Sequence, residues 1–166
     1  MAKTYKFEQE RKLLKAGYFL KDDSGNNVYE ARMLTQPLIG ASEFEFVNHL
    51  TKETTSHKVS KTVTTETNEL FSTSSRFKFD GKNIWDYLHE EGIRIDSSMS
   101  KGKLGLTYNV TLKGEPMATI TTSTPNGKSP ITVGNFLDVT VEDDKDLDLA
   151  FLVAFATART EQAFLS

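Results

Sequence analysis

Glu142-Asp143-Asp144-Lys145-Asp146-Leu147-Asp148-Leu149-Ala150-Phe151-Leu152-Val153-Ala154-Phe155-Ala156-Thr157-Ala158-Arg159 is the stretch that decides the fold. From Leu149 to Ala156 every residue is apolar, so a helix here keeps no face for water and must be surrounded by protein. The acidic residues ahead of it complement the positive end of a helix, each by about 0.3–1 kcal/mol where exposed. The segment is far shorter than the roughly 20 apolar residues that span a bilayer, and it carries Asp148 and Thr157. It reads as a core helix over 147–165, and the rest of the chain has to supply its enclosure.

Upstream of the helix the patterning is that of strands. From Lys103 to Lys113, Leu104, Leu106, Tyr108, Val110 and Leu112 point one way and their polar neighbours the other, a period of two that no helix stripe has. Lys113-Gly114-Glu115-Pro116 turns the chain into 117–124, and Pro125-Asn126-Gly127-Lys128 turns it into 131–141, which gives an antiparallel meander. Asp22 to Asn27 is a turn between two apolar runs and marks an early hairpin. Glu43-Phe44-Glu45-Phe46-Val47 alternates, with Phe44 and Phe46 on one side. The 25 residues from 51 to 75 hold 13 Ser and Thr; they read as a low-complexity linker or as strands with one wet face, and the strand reading is preferred. One short helix interrupts the strands over 83–91: Ile84, Tyr87 and Leu88 share a face, Asn83 caps its start and Gly92 ends it.

Composition agrees with a β-rich chain. Of 166 residues 20 are Thr and 13 are Ser, and the absence of cysteine excludes disulfides, thiolate metal sites and cysteine nucleophiles. Twenty Lys and Arg against 23 Asp and Glu leave a net charge of -3, and with no recognisable reading motif nucleic-acid binding is not expected. The first 12 residues lack the apolar run of about 7–15 residues of a secretory signal, so the expected location is cytoplasmic.

Together the early hairpin Asp22 to Tyr29, the helix after Phe79, the hairpins over 103–141 and the terminal Asp148 to Phe155 resemble the Tubby C-terminal-like superfamily, within it the LURP-one-related proteins and phospholipid scramblases. The compact size is most similar to bacterial single-domain members. The resemblance implies a single domain over 1–166, mainly β, in which about twelve antiparallel strands close into a barrel around one hydrophobic C-terminal helix, with one extra short helix. No counterpart of the basic phosphoinositide-binding pair of Tubby proteins is found, so no binding residue is carried over.

The candidate sites are few. Lys52, Lys58 and Lys61, with Arg11, Lys12 and Lys15 elsewhere, are the basic residues that would attract anionic lipid headgroups if strand pairing gathered them, by about 1 kcal/mol per charge. Asp143, Asp144, Asp146 and Asp148 suggest a calcium loop, but a loop from Asp144 would need Gly and Glu where Leu149 and Phe155 stand, so helix capping is expected. His49, His57 and His89 lack the spacing of zinc ligands, and no Gly-x-Ser-x-Gly elbow nominates a nucleophile for a spatial Ser, His and Asp triad. Lys101-Gly102-Lys103 lacks the order of a phosphate-binding loop. Trp85 and Tyr87 read either as a ligand-stacking pair or as core, with at least one of them core. No catalytic residue, metal or cofactor is assigned.

The expectation is a non-enzymatic binding or scaffold protein, its ligand an anionic lipid headgroup or a protein partner, held on the outer face or at the rim because the helix plugs the interior. Two alternatives stand beside it. A hydrolase-type enzyme requires a cleft with convergent polar groups, and a lipocalin-like carrier requires the 147–165 helix to lie outside an open lumen.

Overall fold

The computed structural model describes residues 2–12, 15–35, 42–60, 63–66, 73–76, 78–99, 106–123 and 136–165. These form β1 (Lys3–Lys12), β2 (Lys15–Lys21), β3 (Asn27–Thr35), β4 (Ser42–Asn48), β5 (Glu53–Val59), β6 (Val63–Glu66), β7 (Thr73–Arg76), β8 (Lys78–Phe79), β9 (Lys82–Asn83), α1 (Ile84–Glu90), β10 (Ile93–Met99), β11 (Leu106–Leu112), β12 (Glu115–Ser123), β13 (Phe136–Val141) and α2 (Leu147–Leu165). Eleven strands make one antiparallel sheet in the order β10-β11-β12-β13-β1-β2-β3-β4-β5-β8-β9, and β6 and β7 pair separately. Two meanders, β1 to β5 and β10 to β13, are thus sewn together where β1 meets β13, with Tyr5 opposite Val139.

The turns follow from their residues. Asp22 accepts from the N–H groups of Ser24 and Asn26, each at 2.9 Å, and Gly25 takes a φ of 82°, which closes the β2–β3 hairpin. Lys113 and Gly114 both have positive φ, 52° and 86°, the two-residue connection whose twist suits adjoining strands. Asn83 caps α1 by accepting from Trp85 N at 2.9 Å and Asp86 N at 3.4 Å, and Gly92 leaves the helix at a φ of 94°. In β4 the buried side chains of Phe44 and Phe46 alternate with the half-buried Glu43 and Glu45. The hydroxyl-rich stretch does contain strands, β5, β6 and β7.

Helix α2 lies in the curve of the sheet. Leu147 and all residues from 150 to 158 are buried, Thr157 among them, its hydroxyl donating to Val153 O at 2.8 Å. Phe151 stacks on Tyr29 (4.3 Å between centroids) and meets Phe7 at 5.6 Å; one turn on, Phe155 meets Tyr18 at 4.8 Å, Phe46 at 5.3 Å and Phe44 at 5.6 Å. The inward faces of four consecutive strands therefore grip one helix through aromatic rings, which carry the largest buried areas.

Among the described residues, the closed barrel of about twelve strands expected from the resemblance is not formed. Eleven strands pair and the ladder ends at β10 on one side and β9 on the other, with no pairing between those two. The reason is local. β8 and β9 have two residues each, joined by Asp80 and Gly81 at positive φ, and the chain runs from β9 straight into α1. A helix satisfies its own backbone and offers no ladder to a neighbouring strand. Helix α1 instead lies beside β8, β9 and β10 and buries Ile84 and Leu88, so packing fills part of the seam.

Candidate functional site

The seam leaves a cavity of about 170 Å³ at the end of the sheet where α2 begins. Its walls are apolar on most sides: Phe46 from β4, Phe79 from β8, Tyr87 from α1, and Leu149 and Leu152 from the first turns of α2. Its polar groups are Glu53, Thr55 and His57 from β5, Asp148 from α2 and the Tyr29 side chain from β3. Residues 53, 55 and 57 reach it together because alternate residues of a strand share a face.

His57 is the best-connected of these groups. Its Nδ1 lies 2.6 Å from Asp80 Oδ2 and its Nε2 2.9 Å from Thr55 Oγ1. In the neutral ring Nδ1–H donates to the carboxylate and Nε2 accepts the Thr55 hydroxyl proton. The ring stacks on Phe79 at 4.5 Å and meets the edge of Phe46 at 5.1 Å. Asp80 is itself fixed, since its other oxygen accepts from Lys58 N at 2.8 Å and its own N–H donates to Lys58 O at 2.7 Å.

The opposite wall is anchored by Asn48. Its amide oxygen accepts from Leu50 N at 3.0 Å and Thr51 N at 3.2 Å, and its Nδ2 donates to Asp148 Oδ1 at 3.2 Å. One buried side chain thereby ties the β4–β5 turn to the start of α2. The Tyr29 hydroxyl is pushed well above its ordinary value, first by burial and then by its hydrogen bond to Asp148, so it stays protonated and donates to that carboxylate. Among the described residues no Lys or Arg lines the cavity, so Glu53 and Asp148 give it an acidic character.

Two of the basic residues, Lys52 and Lys58, lie at opposite ends of β5. Lys52 is exposed in the β4–β5 turn at a φ of 64°, and Lys58 is exposed on the outer face of β5, opposite Glu43 of β4. Lys61 lies outside the described residues, as do the side chains of Arg11, Lys12 and Lys15. The aspartates separate as well. Asp143 caps the turn Asp144–Asp146 through Lys145 N, Asp144 accepts from Tyr5 and Lys3, and only Asp148 faces the cavity. His49 pairs with Glu30 at 2.8 Å and His89 with Arg94, both away from His57. Tyr87 lines the cavity with its ring 5.4 Å from Phe79, and Trp85 packs half-buried against the core.

Of the polar groups in and around the cavity, the sequence does not single out Tyr29, Glu53, Thr55 or Asp80, and it marks Asp148 only as part of an acidic helix cap. The available signal was the spacing Glu53, Thr55, His57, which puts three polar side chains on one strand face in a segment otherwise noted only for its hydroxyls. Comparison of the chain with protein-family models, curated proteins and solved structures gives no match.

Proposed function

We propose that this chain is a non-enzymatic binding protein of the Tubby-like, LURP-one-related kind, and that it holds its ligand in the rim cavity beside the start of α2. One observation carries the reading: the interior is filled by a helix buried on every side from 150 to 158, while at the seam polar groups and aromatic walls converge on open space. Of the two ligand classes expected from sequence, a protein partner is favoured over an anionic headgroup. Glu53 and Asp148 repel phosphate, and Lys52 and Lys58 do not converge on any one point with it.

The test is a titration of the methyl-labelled protein with small fragments of different charge: n-butylammonium, n-butanol and butyrate. Shifts of the Leu149 and Leu152 methyl signals are expected with at least one of them. Shifts confined to other parts of the protein would remove the cavity as the site. Flotation with vesicles checks the lipid class, and recovery that rises with anionic lipid at low salt would restore it.

A hydrolase is the second reading, drawn from the Thr55, His57 and Asp80 chain, which is the order of hydroxyl, imidazole and carboxylate that activates a nucleophile. It is the weaker one. Thr55 is a secondary alcohol, and the N–H groups of Thr55 and His57 face β4 in the ladder, where they are not available to a developing oxyanion. Hydrolysis of p-nitrophenyl acetate that disappears in His57→Ala and Thr55→Val would establish it over binding.

A further inference from the structure

Among the described residues, the strand that lines the cavity leaves half of one edge unpaired. Lys58 N donates to the Asp80 carboxylate, Lys58 O accepts from Asp80 N, and Ser60 N donates to Lys78 O at 3.0 Å, so the even-numbered residues of this strand aim their backbone groups away from β4. The alternation of the backbone aims the N–H and C=O of Thr54 and Ser56 the same way. On that side β8 pairs with β5 only at Val59, and among the described residues no strand meets Thr54 or Ser56. Unpaired groups along an edge are a template for one more strand.

We propose that this edge takes an extended peptide segment of a partner protein as an added strand, and that the cavity receives the Lys or Arg side chain of that segment. The inference rests on the rim-cavity reading and names its occupant. The register is fixed by geometry: a peptide residue opposite Thr55 points its side chain to the face of Thr55, into the cavity, while its two neighbours exchange hydrogen bonds with Thr54 and Ser56. The cavity suits that side chain. At about 170 Å³ it is below the roughly 300–1,000 Å³ that holds a drug-sized ligand, and near the size of one long side chain. Leu149, Leu152 and the faces of Phe79 and Tyr87 would flank an aliphatic stem, and Glu53 and Asp148 would receive the cation. A second copy of this strand would present Glu53, Thr55 and His57 to the same place, bringing carboxylate towards carboxylate.

The probe is a fluorescein-labelled acetyl-Thr-Val-Lys-Val-Thr-amide followed by anisotropy. Replacing its Lys with norleucine should weaken binding at least about tenfold, and Glu53→Gln in the protein should weaken the Lys peptide but not the norleucine one. Ser56→Pro removes an N–H that no described strand uses, so it should abolish binding at unchanged thermal stability. A peptide N-methylated at both valines tests the same hydrogen bonds without altering the protein, and it should not bind. Equal affinity of the Lys and norleucine peptides would overturn the cation, and undiminished binding of the methylated peptide would overturn the edge. A dimer, seen by sedimentation and lost in Ser56→Pro, would replace the peptide with a second copy. Fragments that shift Leu149 and Leu152 while no peptide binds would overturn the peptide and leave the cavity standing, whereas failure of both would overturn both.

Discussion

Phe151→Ala is the perturbation that the aromatic grip on α2 makes most costly. The ring is fully buried, stacks on Tyr29 at 4.3 Å, and lies 5.6 Å from Phe7 and 5.8 Å from Phe46. Its neighbours come from three strands, β1, β3 and β4, held in one continuous ladder with β2, so they have little freedom to collapse into the space vacated. Truncating a buried Phe costs about 3–5 kcal/mol, and a site that cannot relax belongs near the upper end. That is a large part of the roughly 5–15 kcal/mol by which a domain is stable. At about 2–4 °C per kcal/mol for a chain of this size, the melting temperature should fall by roughly 6–20 °C. Urea denaturation followed by far-ultraviolet circular dichroism gives the free energy directly. Leu149→Ala, two residues earlier but half-exposed at the cavity, is the control and should cost under about 1 kcal/mol. If the two variants lost the same amount, or Phe151→Ala lost less than about 1 kcal/mol, α2 would not be the centre of the core. Phe151→Asp, which buries a charge in the same place, should give no soluble, cooperatively folding protein.

Asn48→Ala removes three hydrogen bonds from a residue 4% exposed, so a loss of about 2–3 kcal/mol in urea denaturation is expected, with weaker fragment binding because Asp148 loses a partner. Asn83→Ala deletes the cap of α1 and should cost about 1 kcal/mol in the same assay, with no change for Asn83→Ser. The hydrogen bond from Tyr5, then that from Lys3, holds Asp144 below the usual carboxylate range. Its contribution is therefore complete above the unfolded value near 3.8 and is lost as pH falls through the lower folded value. The stability gap between the natural chain and Asp144→Asn should be constant at neutral pH and should shrink below pH 4, and a gap that widens on acidification would contradict the assignment.

Much of the fold was legible because it rested on local pattern. The all-apolar run from Leu149 to Ala156 required enclosure, and the alternation around Phe44 and Phe46 gave the inner face that encloses it. Asn83 and Gly92 marked the ends of α1 to within a residue. Pairing at long range was not legible in the same way. That β1 pairs with β13 depends on the whole meander, and that β8 and β9 stop after two residues depends on Asp80 and Gly81 turning the chain into a capped helix. The site was still harder to read. Tyr29, Asp80 and Asp148 are far apart in sequence, as are Tyr29, Tyr87 and Asp148, and they come together beside His57 only through long-range pairing and packing; none of them departs from the composition around it. The lysines drew notice because charge is visible in a sequence, but Lys58 faces outward opposite Glu43, on the side of β5 away from the cavity.

The place where the sheet fails to close and the place where a ligand would bind have the same cause. Had β8 run on along β5 past Lys58, Thr54 and Ser56 would have been paired, and the added inward side chains would have occupied the space between Phe79, Tyr87 and Leu149. The chain instead turns from β9 into a seven-residue helix that packs beside β8, β9 and β10 through Ile84 and Leu88 and leaves the backbone of β5 at Thr54 and Ser56 alone. The Asp80 turn then does two things at once: it pins Lys58, which ends the paired part of β5, and it orients His57 towards Thr55 at the start of the unpaired part. Extending β8 by two residues should therefore stabilise the sheet and close the cavity together, and a variant that gained stability while still binding fragments at Leu149 and Leu152 would separate what the geometry joins.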